Sequence, residues 1–151
     1  MASANVAPVS DHLRNGTDIR QIDPPDLAAG PGYSHAVSVD VPGRLVVISG
    51  QVPVDADGTL VGEGDLRAQL DQIFTNLSAA LKAADATWHH VVRLGFFLRD
   101  IGQVAILREV RDRHLPAGVT PASTLVEVSG LVNDAFLAEI EAWAVVPRDD
   151  G

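Results

Sequence analysis

Cysteine is absent from this 151-residue chain. That excludes disulfides, thiolate metal sites and a cysteine nucleophile, and it fits a reducing compartment. Positive charge is scarce: 11 Lys and Arg stand against 20 Asp and Glu, a formal net charge of -9. A chain this acidic is repelled by phosphate backbones, so nucleic acid is not an expected partner. The N-terminus lacks a basic segment followed by an apolar run and does not read as a signal peptide. No apolar run reaches the roughly 20 residues that a membrane-spanning helix needs. The expected location is cytoplasmic, with no membrane partner. His12, His35, His89, His90 and His114 form no H-E-x-x-H pattern, so no metal site is expected. There is no P-loop, Gly62-Glu63-Gly64 alone does not make a dinucleotide site, and Ser49 sits in no G-x-S-x-G elbow. No cofactor is expected.

What is present reads as one domain with ample apolar side chain for a core, 46% of residues being hydrophobic. Residues 1–30 are poorly periodic and broken by Asn15-Gly16 and Asp23-Pro24-Pro25, which predicts an N-terminal arm ahead of a domain over 31–151. Tyr33 to Asp40 alternates as a strand. Pro42-Gly43 suits a type II turn, and the apolar run Leu45 to Ile48 suits a strand covered on both faces. Asp57-Gly58 predicts a turn between Val52–Val54 and Thr59–Val61.

The clearest helix runs from Asp65, a plausible N-cap, to Ala84. Leu66, Leu70, Ile73, Phe74, Leu77, Leu81 and Ala84 make one stripe at three- and four-residue spacing. A strand follows at Val91 to Leu98, with Arg93, Gly95 and Phe97 on one side. A second helix opens at Asp100 with Gln103 placed as in a capping box, and Pro116 and Gly118 end it.

Pro121 to Val146 then reads as two strands joined by a turn at Asn133-Asp134 in a C-terminal hairpin. In the second strand Phe136, Ala138, Ile140, Ala142, Ala144 and Val146 share an apolar face, while Glu139, Glu141 and Trp143 share the other. The predicted order is β-β-α-β-α-β-β, an α+β fold with two helices on one face of the sheet. The semi-polar face is left uncovered, which predicts oligomerisation through it.

Several of these segments resemble motifs of the RidA (YjgF) family, in the right order and over 31–147. They are Gly32-Tyr33-Ser34-His35-Ala36-Val37, Ile48-Ser49-Gly50-Gln51-Val52-Pro53, Phe97-Leu98-Arg99-Asp100, the Pro121-Ala122 strand ending Val126-Glu127-Val128, and Glu139-Ile140-Glu141-Ala142. The resemblance implies a chorismate-mutase-like fold with a mixed sheet, a homotrimer, and clefts between subunits that take a small-molecule metabolite. It implies Glu139 as the residue that positions or activates water. It also implies Tyr33, Ser49 and Gly50 as cleft-lining residues, with His35 bordering them and Arg108 near a position where deaminating members carry Asn. In the family's imine deaminases the strand reads P-A-R-S, and its arginine is taken to hold the substrate's carboxylate. Here that position is Ser123, which brings no charge.

Two readings follow. The chain is an enzyme acting on a small enamine, imine or related carbonyl compound by Glu139-assisted water addition or tautomerisation, and a poor 2-aminoacrylate deaminase. Alternatively it is a non-catalytic trimer that binds a metabolite or protein in the same clefts.

Overall fold

The computed structural model describes residues 19–28, 35–41 and 43–147. Among the described residues six strands and two α-helices form an α+β fold: β1 (Ile19–Ile22), β2 (Ala36–Val41), β3 (Gly43–Gln51), α1 (Leu66–Ala83), β4 (Val91–Leu98), α2 (Val104–His114), β5 (Ala122–Glu127) and β6 (Ala138–Val146). The strands make one sheet in the order β1-β2-β3-β6-β4-β5. Every pairing is antiparallel except β4 with β5. Neither helix is long and apolar enough to cross a membrane.

The expected α1 stripe is the core. Leu70, Ile73, Phe74 and Leu77 are fully buried against β3 and β6, whose Val46, Ile48, Ala138, Ile140, Ala142 and Ala144 face them. At roughly 1.5–3 kcal/mol for each large apolar side chain removed from water, this stripe is the main attachment of the helix to the sheet. Asp65 caps α1 as expected, its carboxylate accepting from the Ala68 amide at 3.1 Å. At the other end the Arg44 guanidinium donates to the Ala84 carbonyl at 2.5 Å.

Four expectations change. The C-terminal hairpin does not form. β6 is central, between β3 and β4, and β5 is an edge strand parallel to β4. Parallel neighbours need a long crossover, and residues 99–121 with α2 supply it. The segment 128–137 then crosses the end of β4, anchored where the Arg99 amide donates to the Leu137 carbonyl and the Val128 amide to the Leu98 carbonyl. Secondly, Ile19–Ile22, read as part of the arm, pair with β2 as the other edge strand. Thirdly, the Val52–Val61 hairpin shrinks to one bridge, Val54 with Leu60, because Asp55 turns its carboxylate onto the Asp57 and Thr59 amides. Lastly, Asp100 opens a short 3-10 turn, Ile101–Gln103, rather than α2 itself. Its carboxylate accepts from the Gly102 backbone amide, and the Gln103 side-chain amide donates to that carboxylate instead of completing a box with the backbone.

Candidate active site

Strand alternation sorts β6 into two environments. Ala138, Ile140, Ala142 and Ala144 are fully buried under the helices, whereas Glu139, Glu141, Trp143 and Val145 stand on the uncovered face, Trp143 being 39% exposed. On that face Glu139 pairs across with Phe97, Glu141 with Gly95 and Trp143 with Arg93 of β4.

The two glutamates lean opposite ways. Between Ile48 and Gln51 the register of β3 against β6 shifts, so that Ser49 and Gly50 form a bulge. A Cβ at Gly50 would collide with the Glu139 carboxylate, so glycine is what lets that carboxylate lie against β3. Glu141 leans toward β4 instead. Its Oε1 accepts from the Arg93 guanidinium at 2.8 Å, and a Cβ at Gly95 would come within 2.7 Å of its side chain. Among the described residues Glu139 has no ion-pair partner. Its carboxyl is held above the ordinary range, first by partial burial and second by the charge of Glu141. Two carboxyl groups on one strand face are thereby made different, one paired with Arg93 and one that holds its proton more readily than an ordinary carboxyl group.

His35 supports this arrangement from behind. It is buried, with Nε2 donating to the Ala28 carbonyl at 2.8 Å, which leaves Nδ1 to accept from the Gln51 amide at 3.0 Å. The same Gln51 nitrogen donates to the Ser49 carbonyl at 3.1 Å, and the Ser49 amide donates to the His35 carbonyl at 2.8 Å. His35 is therefore a strut for the Ser49–Gly50 bulge. Tyr33 lies outside the described residues.

Two predicted site residues are not brought to Glu139 within one chain. Ser123 aligns with Leu94, a residue buried on the helix side, so strand parity puts it across the sheet from Glu139. It lines a groove of about 340 Å³ between β4 and the end of α2, with Leu94, Phe96, Arg111, Leu115 and Thr120 among its walls. Arg108 stands exposed on α2, one turn before Arg111, and the groove's cation is Arg111, paired with Asp112 at 2.7 Å. The three- and seven-residue spacings of α2 place Arg108, Arg111 and Leu115 along one stripe, but only the latter two reach the groove. Sequence reasoning missed the parts played by Arg93 and Gly95. The available signal was a glycine in mid-strand, two residues from an arginine on the same side.

Residues 25–146 match the family model described as Endoribonuclease L-PSP. Among curated proteins the chain is 41% identical over 118 residues to Protein DfrA of Myxococcus xanthus, covering 78% of this chain and 87% of that protein. It is 34% identical over 118 residues to the mouse 2-iminobutanoate/2-iminopropanoate deaminase, covering 78% and 83%. Among solved structures, that of RidA from an Antarctic Psychrobacter species superposes with a TM-score of 0.75 at 32% identity, covering 84% of this chain and 99% of that one.

Proposed function

This chain belongs to the RidA/YjgF family, the group described by the endoribonuclease L-PSP model, and on that premise we propose that it converts a small enamine, imine or related carbonyl metabolite with Glu139 as its proton-transferring group. The observation that carries the reading is a half-buried carboxyl group, unpaired among the described residues, laid against the glycine of a strand bulge on an open sheet face. For an imine, water adds to the carbon of C=N. Glu139 takes the water's proton and passes it to nitrogen, and the carbinolamine then expels ammonia as the carbonyl forms. For an enamine, the same group protonates carbon while the N–H proton is lost. Two relatives named 2-iminobutanoate/2-iminopropanoate deaminase support this substrate class.

In this reading a complete cleft needs two copies of the chain. One presents Glu139 with Ser49 and Gly50. A neighbour presents the groove of Ser123 and Arg111, because strand parity keeps the two sets on opposite sides of the sheet in any one subunit. The uncovered face, where Val47, Trp143 and Val145 form an apolar patch beside the carboxylates, is suited to burial in a homotrimer. Light scattering is expected to give three times the chain mass at micromolar concentration, and a stable monomer there would defeat the two-copy cleft.

The protein is expected to hydrolyse 2-aminoacrylate-type imines poorly. Such a substrate carries a carboxylate, Glu139 disfavours a second anion, Ser123 is neutral, and Arg111 is already occupied by Asp112. Ser123→Arg is expected to raise that activity at least about tenfold, equivalent to roughly 1.4 kcal/mol, while Arg108→Ala leaves it nearly unchanged. The assay couples a dehydratase that generates the imine to detection of ketoacid release. Wild-type turnover equal to that of an arginine-containing relative would show that Ser123 does not mark an altered substrate range.

A further inference from the structure

Gly95 has no conformational reason to be glycine. Its φ is not positive, and the register of β4 against β6 runs regularly through it, the only shift lying between Val91 and Arg93. What it provides is room. The Glu141 Cγ and Oε1 would each stand 2.7 Å from a Cβ at this position, so any other residue would push Glu141 upright. Two residues back on the same side, Arg93 holds the lowered carboxylate at 2.8 Å. β4 thus carries both a slot for Glu141 and a cation at the end of the slot. Without them Glu139 and Glu141, two residues apart on one strand face, would both stand up into the same site.

We propose that Arg93 is a positioning residue that acts through Glu141: by drawing that carboxylate over Gly95 toward β4, it leaves Glu139 as the one carboxyl group over the Ser49–Gly50 bulge able to exchange a proton with a bound metabolite. This deepens the function proposed above and rests on it for its consequence in catalysis, but the electrostatic coupling is measurable without any substrate. Among the described residues, strand parity puts Glu139 and Glu141 of β6 and Arg93 of β4 on this face, with Arg99 just past the end of β4, bonded to Leu137, and His35 bonded to the Ser49–Gly50 bulge. From β3 the neighbours are Val47 and Ser49, and from β5 they are Thr124 and Val126, none of which changes charge in the relevant range.

The test is a carbon-detected NMR titration of the glutamate carboxyl groups in the intact protein, with the Glu139 signal assigned by its loss in Glu139→Gln. Arg93→Met is expected to move the Glu139 midpoint up by about half a pH unit, as removal of a nearby unit charge requires, and to couple its titration to that of Glu141. Arg93→Lys, which keeps the charge, is expected to restore the wild-type midpoint. Glu141→Gln is expected to move it down. If Arg93→Met does not fold, the Glu141→Gln shift and the Lys variant still decide. A Glu139 midpoint unmoved by Arg93→Met, or not lowered by Glu141→Gln, overturns the proposal. Failure of the enzymatic reading shows separately, as turnover that survives Glu139→Gln.

Discussion

Replacing Glu139 by Gln is expected to lower turnover of a small imine or enamine by about 10²- to 10⁴-fold, the usual contribution of one positioned acid–base group. Gln is nearly isosteric and fits the same space over Gly50, so affinity for the metabolite should change far less than rate. That contrast separates an enzyme from a binding module. If the wild type binds a metabolite without converting it, and the variant binds equally well, the non-catalytic reading stands instead. The same variant carries a pH signature. Partial burial and the charge of Glu141 raise the Glu139 carboxyl above its unfolded value. The protonated group therefore contributes stability that is fully present below the unfolded carboxylate pKa and is lost as pH rises through the folded one. Chemical denaturation at matched protein concentration should show wild type losing stability relative to Glu139→Gln across that window. A difference that is flat with pH would mean that Glu139 is not perturbed by its surroundings.

The second large effect concerns the fold that holds the site in place. Gln69 on α1 is completely buried. Its amide nitrogen donates to the Gly62 carbonyl at 3.1 Å and the Ala135 carbonyl at 2.9 Å, and its oxygen accepts from the Leu137 amide at 2.8 Å. One side chain thus joins the loop before α1, the helix, and the segment that leads into β6 two residues before Glu139. Gln69→Met keeps most of the volume but leaves the Ala135 carbonyl and the Leu137 amide without partners, while the Gly62 carbonyl keeps the Asp65 amide at 3.0 Å. Each such loss costs about 1–3 kcal/mol, so the two together are expected to cost about 2–6 kcal/mol, a large share of the roughly 5–15 kcal/mol that holds a typical domain together. Urea unfolding at fixed protein concentration measures it, with Lys82→Ala on the exposed end of α1 as a control expected to change stability by less than about 0.5 kcal/mol. A loss below about 1 kcal/mol for Gln69→Met would mean that water or a local shift replaces these bonds.

Local periodicity in the sequence determined a good deal of this molecule. The two-residue alternation of Ala138 to Val146 assigned each β6 side chain to a covered or an open face, and so put Glu139 and Glu141 beside Trp143. The spacing of Leu66 to Leu81 defined α1 and its buried stripe, and Asp65 marked its start. These properties are legible because they depend on neighbours within a few positions along the chain. The motifs of β3 and β6 also carried the family, which the comparisons bear out.

Tertiary structure decided what lies opposite what. Nothing local in Ala122 to Glu127 says that this strand lies beside β4 in parallel rather than against β6, or in the register that sets Ser123 level with Leu94 on the helix side. Gly50 and Gly95 are simple absences of a side chain until β6 is laid between β3 and β4. Only then does each become the bed of a carboxylate. Arg111 rather than Arg108 lines the groove because the packing of Leu107 and Val110 into the core fixes how α2 is rotated, which leaves Arg108 exposed and sets Arg111 at the edge of the buried stripe. Strand parity is fixed by the geometry of one backbone, whereas strand order and register are fixed by burying the apolar faces of several segments at once, with the crossovers and long connections that this burial requires.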